Sequence, residues 1–255
     1  MTIAPLASIE SAFLVLTTAG VSAMDADVAP LRVMIEHLSA LEGDFWVKLR
    51  GAGLTYGSSL SNDIERRALS FSLYRCADAL AAYKAAKQIV VEYATGVLTI
   101  SPVQLAGAKS SLAYSILART STKASVINQT WSSAYLGVPA DYDRWLLQQL
   151  DATDVSAALH TLRKYIVPLF DASANLSVTC PPSKVDALAA GLEAAHGGAV
   201  CVVPEEQLNA VFGLDADAPP PQTQGRAKPL PAFAFAKQFG RCECPRCGPP
   251  TVDDK

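Results

Sequence analysis

The amino-acid sequence predicts an α+β fold, a two-layer sandwich whose mostly antiparallel sheet carries its helices on one face. Three observations lead there. A strand-like run comes almost at the start of the chain, an alternating pair of strands follows the first long helix, and a block of helices then separates these from the last strands. With 255 residues, half of them hydrophobic and 18% charged, the main body is long enough to bury a full core.

The run Ile9 to Thr18, dense in Phe13, Leu14, Val15 and Leu16, reads as the first strand. Asp25 and Asp27 then offer caps, and Pro30 suits a first helical turn. Leu31, Met34, Ile35, Leu38, Leu41, Phe45 and Leu49 follow at helical spacing and predict one amphipathic helix of about five turns. Leu54 to Ser61 reads as a strand and Asn62-Asp63 as a turn. Leu69, Phe71 and Leu73 alternate with Ser70, Ser72 and Tyr74 in a second strand, so the two pair as an antiparallel hairpin.

Asp78 opens a helix that Gly96 ends, and Ser101-Pro102-Val103-Gln104 has the form of a capping box with Pro at the first helical position. Helical pattern runs to Arg119, restarts near Thr122 and stops at Gly137. Two shorter helices follow, over Asp141 to Leu150 and Asp154 to Tyr165. Asn175 to Cys180 is a strand ended by Pro181-Pro182, Ser183 to Ala195 a helix, and Ala199 to Val203 a strand. A last short helix begins at Pro204 and ends near Gly213. The main domain thus covers residues 1–213. The remainder, 214–255, holds half of the chain's prolines without a sustained period and reads as a disordered tail.

A net charge near −3 without a basic block gives nucleic-acid binding little support. The apolar runs are far too short to span a bilayer, and Glu10 precedes the first of them, where a secretory signal would carry basic residues. Cys76, Cys180 and Cys201 read as small buried hydrophobes in a reducing compartment, with the cytoplasm as default and the mitochondrion as alternative.

Metal chemistry finds few ligands. The three histidines, His37, His160 and His196, lie too far apart to pair within a helical turn, and Val33 stands where a partner for His37 would be needed. His37 is expected to be solvated or partly packed, and Glu193 with His196 to form a surface pair. Cys242, Cys244 and Cys247 supply three thiolates at suitable spacing but lack an evident fourth ligand, so a cysteine-rich unstructured tail is the favoured reading over a zinc site. Trp131, Tyr135, Tyr142 and Trp145 concentrate aromatic area in the helical block, where core packing is the usual role.

The segment Arg50-Gly51-Ala52-Gly53-Leu54-Thr55-Tyr56-Gly57 stands apart, because it packs three glycines, a guanidinium and a phenol between helix and strand. Facing one cleft, Arg50 and Tyr56 could grip a peptide carbonyl or a developing oxyanion. The spacing equally fits a glycine-rich turn with a packed Tyr and a solvated Arg, and alone it favours that plainer role. Tyr74-Arg75 ends the hairpin, where Arg75 reaches either a groove or solvent.

With the order of elements, this segment resembles the C-terminal, zinc-free half of pitrilysin/insulinase-type metallopeptidases, the inverzincin group, nearest the presequence-protease branch. Arg50 and Tyr56 match the family's Arg-to-Tyr element, and Leu69 to Arg75 and Tyr165 to Asp171 are similar too. The resemblance covers about residues 5–213. It implies that this chain holds no cofactor, and that an N-terminal half bearing zinc and His-x-x-Glu-His supplies the cleaving metal. Arg50 and Tyr56 would then bind a peptide substrate, with that zinc-bearing half or another chain as partner. It also implies that the opening strand or two of the half are missing, making the chain a fragment, a split subunit or a pseudopeptidase. A noncatalytic structural or interaction module is the alternative.

Overall fold

In the computed structural model of the chain, residues 1–208 are described. Six strands form one sheet: β1 (Thr2–Pro5), β2 (Ala12–Ala19), β3 (Thr55–Asp63), β4 (Ala68–Cys76), β5 (Asn175–Cys180) and β6 (Cys201–Val202). Their order across it is β3-β4-β2-β5-β1-β6. The β2–β4, β2–β5 and β3–β4 pairs are antiparallel, while β1 runs parallel to β5 and β6. The helices are α1 (Val28–Ser39), α2 (Ala79–Thr95), α3 (Pro102–Ala118), α4 (Lys123–Leu136), α5 (Tyr142–Ala152), α6 (Val155–Thr161) and α7 (Val185–His196). The predicted α+β class and the predicted hairpin are both present.

Alternation along the strands decides which sheet face is covered. Ile3, Leu14, Leu16, Leu69, Phe71, Leu73, Leu176 and Val178 are almost wholly buried, in one core with Leu31, Met34 and Leu38 of α1 and Tyr83, Ile89 and Val90 of α2. The opposite face carries small polar side chains. Register aligns Thr17, Ser70 and Ser61 in one row and Val15, Ser72 and Ser59 in the next. Such a face buries little and stays open.

Local signals that read clearly are realised. Asp78 Oδ1 accepts the Ala81 amide at 2.9 Å, and Gly96 ends α2 with φ 81°. At the start of α3 the Gln104 amide donates to Ser101 Oγ at 3.2 Å, while the Ser101 amide donates to Gln104 Oε1 at 2.9 Å.

The five-turn helix predicted through Leu49 is instead two pieces. α1 stops at Ser39, Ala40 is extended at ψ 144°, and a π-helical turn follows over Trp46–Gly51. Leu41, which keeps helical spacing with Leu38 and Phe45, is 79% exposed because the chain has left the helix there. Gly43 makes the reversal possible, since a Cβ at that position would lie 2.9 Å from the Ala40 carbonyl oxygen. Phe45 and Leu49 are buried all the same, because they are four apart within the second piece. The first strand starts at Ala12, later than predicted, and Thr2–Pro5 is a strand absent from the sequence reading. Asp27 caps by position alone; its carboxylate instead accepts from Lys164 Nζ at 2.6 Å and the Tyr165 hydroxyl at 2.8 Å. The tail and its Cys242, Cys244 and Cys247 lie outside the described residues.

Candidate functional site

Strict alternation fails at one end of the hairpin, and the failure builds a patch. Leu73 and Cys76 of β4 are both buried although three residues apart, with Tyr74 and Arg75 exposed between them. The β2–β4 register shifts at the same row, between Ala12 and Leu14, and Arg75 takes φ 52°. This is a β-bulge with its extra residue in the left-handed region, a device that re-aims side chains. β3 compensates: Thr55 and Leu60 are both buried at an odd separation, which turns Tyr56 outward. The buried Thr55 hydroxyl locks the join, lying 2.9 Å from the carbonyl oxygens of both Gly57 and Tyr74.

Arg50 and Tyr56 come together at this row. The Arg50 guanidinium carbon lies 4.2 Å from the Trp46 ring centroid and 5.0 Å from that of Tyr56, so the cation sits against two rings. Trp46 and Arg50 are four apart on the π-helical turn, which places them on neighbouring positions of one face. Gly53, at φ 72°, supplies the left-handed step that carries the chain from that turn into β3. Gly51 and Gly57 need no such freedom.

The patch extends beyond the two predicted residues. Tyr74 meets Tyr56 edge-on at 6.3 Å and Phe13 at 5.3 Å, and the Arg75 guanidinium lies 5.5 Å from the Tyr74 ring centroid. Tyr56 is 62% exposed and Tyr74 49%. Gly57 stands opposite Tyr74 with open space where a side chain would be. The roles of Trp46, Phe13 and Tyr74 went unread in the sequence. The available signals were the four-residue step from Trp46 to Arg50 and the break in alternation between Leu73 and Cys76.

Two of the three histidines serve the core, while His160 is exposed. His37 is buried, and its Nε2 lies 3.0 Å from the Tyr93 hydroxyl, which donates to Asp44 Oδ2 at 2.6 Å. Since the Tyr93 proton goes to Asp44, His37 Nε2 carries the proton of that contact. Burial pushes His37 below its ordinary value, against the opposing pull of Asp44. The expected surface pair of Glu193 and His196 does not form. His196 is only 4% exposed and bonds the Tyr83 hydroxyl at 2.9 Å, while Glu193 accepts the Val200 amide at 3.0 Å. Burial lowers His196 as well.

Zinc does not fit these residues. Val33 is packed in the core where a second histidine would be needed, His37 is held by Tyr93, and Glu36 accepts from Ser111. Among the described residues no three His, Cys, Asp or Glu side chains are grouped to hold a metal, and no helix is long and apolar enough to cross a membrane. A groove of about 700 Å³ between α1 and α3 is lined by Glu36, Asp44, Gln104 and Ser111, and shares no residue with the aromatic patch. Of the helical-block aromatics, Tyr142 is buried as expected. Trp131 and Tyr135 are not core: they stack on each other at 5.4 Å on the outside of α4, with Trp131 66% exposed.

The fold is a sheet with one face covered by helices and one face open. Comparison with known proteins places it further. The chain has the fold of M16 peptidase domains: an inactive M16 peptidase domain from Pseudomonas fluorescens matches with TM-score 0.59 and 19% identity over 71% of this chain and 43% of that one. An inactive peptidase domain from Bordetella parapertussis matches with TM-score 0.58 and 11% identity over 68% of this chain and 92% of its own. M16 is the pitrilysin-type class, so the resemblance read from the sequence is met at the level of fold. In sequence, the chain is 31% identical over 170 residues to an uncharacterized protein of Saccharomyces cerevisiae, covering 64% of this chain. It spans only 16% of that relative's length. No family model matches the chain.

Proposed function

We propose that this chain is the substrate-binding, C-terminal half of a pitrilysin-type zinc endopeptidase, inactive until a zinc-bearing half joins it. One observation carries the reading: Arg50 and Tyr56, both exposed, meet at 5.0 Å at the start of the edge strand β3. The Arg50 guanidinium lies against the Trp46 and Tyr56 rings, and a guanidinium so placed can still offer edge N–H donors to a ligand. Arg50 would hold a carbonyl of an extended peptide, and the Tyr56 hydroxyl would donate to the oxyanion as the partner's zinc-bound water attacks. The chain's own part is to orient the peptide and to exclude water with the ring cluster. On this reading the chain belongs to that family, its substrate is a peptide and the zinc lies in the partner half. A cytoplasmic site of action is part of the same reading: Cys76 and Cys180 are buried and unpaired as expected, whereas Cys201, expected to be buried with them, is exposed on the two-residue strand β6.

The test is reconstitution. Mixed with a zinc-bearing half, the chain should restore cleavage of a quenched peptide, and Tyr56→Phe should lower turnover by about 10²–10³-fold, the usual loss for one oxyanion donor. Arg50→Ala should weaken the reaction chiefly through substrate binding. Activity unchanged in both variants would remove the functional case for the pair. A second reading, a noncatalytic interaction module, is favoured by α4, which has no buried residue and displays Ile127, Trp131 and Tyr135 on one stripe. Stable assembly with that half without any cleavage would select it.

A further inference from the structure

Several cations of the fold are spent within it. Lys48 pairs with Asp44 and Glu92, Lys164 with Asp27, Arg66 with Asp63 and Arg119 with Asp143. Arg163 donates to the Ala94 carbonyl and Lys184 to the Ala77 carbonyl. Arg50 and Arg75 differ. Among the described residues neither makes an ion pair, both are exposed, and each lies over an aromatic ring of the same cluster. Asp78, the acid nearest Arg75 along the chain, accepts the Ala81 amide at the start of α2. Arg75 is also held at φ 52°, a conformation that costs a non-glycine residue energy and that the bulge imposes at this row.

Two guanidiniums with no internal anion, fixed over adjoining rings, match two anionic groups from outside. A guanidinium stacked on a ring still presents its edge donors to a carboxylate in a bidentate contact. In an extended chain, side chains at alternate positions share a face and stand roughly 6–7 Å apart. The Tyr56 and Tyr74 rings, against which the two cations lie, meet edge-on, so both cations belong to one cluster that a single extended segment could face. We propose that the patch selects extended peptide segments bearing two acidic side chains at alternate positions, one for Arg50 and one for Arg75. This rests on the peptide-binding reading above and names the substrate class it would take.

Fluorescence anisotropy of the purified chain tests it, with labelled peptides of one length, acetylated and amidated at their ends. Their centres differ only as Asp-x-Asp, Asn-x-Asn or Lys-x-Lys. Because every C-terminus is amidated, a preference reports side-chain carboxylates. The Asp peptide should bind about tenfold or more tighter than the Asn peptide, as loss of charge-assisted bonds predicts, and salt should erode the difference. Arg75→Asn, chosen because Asn tolerates the left-handed backbone, should bring the Asp peptide's affinity toward that of the Asn peptide. Equal binding of Asp and Asn peptides, or an acidic preference undiminished by Arg75→Asn, overturns the inference while leaving backbone gripping by Arg50 and Tyr56 in place. Failure of every peptide to bind overturns both.

Discussion

Arg50 is useful only because of what surrounds it. An exposed arginine ordinarily samples many rotamers, and ordering it costs on the order of 2 kcal/mol. Here Trp46 at 4.2 Å and Tyr56 at 5.0 Å hold the guanidinium before any ligand arrives. Gly57 contributes by lacking a side chain: it leaves free the space beside Tyr74, and its backbone conformation is one that any residue adopts. Gly57→Val should therefore fold with stability equal to or up to about 1 kcal/mol above the parent, since a β-branched residue suits a strand. The same variant should lose most peptide binding because the trough is filled. Urea titration and anisotropy measured side by side check this, and a variant that binds peptide normally would show that the trough is not the binding surface. Of these residues, the sequence displayed Arg50 and Tyr56 through their glycine-rich setting. Trp46 stayed hidden, because it fell within what read as one continuous helix.

At the scale of elements, caps and turns were the most legible features, being short-range and governed by a few atoms. Ser101 with Gln104 and Asp78 with Gly96 fall where their chemistry puts them. The interruption after Ser39 was not legible, since Leu31 to Leu49 keeps helical spacing across it and only the exposure of Leu41 separates the two pieces. β1 was missed for a different reason. Thr2–Pro5 is four residues long, and its pairing with β5 and β6 comes from chain more than 170 residues away. Where α1 meets α2, His37 bonds Tyr93 as a neutral group, and His196 of α7 does the same with Tyr83. Burial lowers both from an ordinary value of 6.5. The unfolded chain takes up these protons near that value and the native chain only at lower pH, so unfolding is favoured as pH falls. Stability should be flat above about pH 7 and decline below about 6.5, levelling once the lowered native values are passed. Urea midpoints at neutral and mildly acidic pH measure it, and His37→Gln, which can still donate to Tyr93, should reduce the slope. An unchanged slope in that variant would show that His37 is not buried as a neutral group.

For the whole molecule, the asymmetry of the sheet matters most. One face is sealed by helices; the other presents rows of Ser and Thr that end in Phe13, Tyr74 and Tyr56. An antiparallel sheet tolerates such a solvated face, and a ring of aromatics at its end is where a second surface gains most by docking. The α+β class was readable because it depends on the order of periodic segments. The open face's purpose was not, because it depends on which side chains the bulge at Tyr74 and Arg75 brings together across distant strands. The central claim is that this face grasps an extended polypeptide. Amide chemical-shift perturbation by NMR, with an unstructured peptide titrated into the labelled chain, tests it most directly. The account predicts shifts concentrated at Phe13, Arg50, Tyr56, Gly57 and Tyr74. Shifts confined to the α1–α3 groove around Glu36 and Gly107, or no saturable shifts at all, would contradict it.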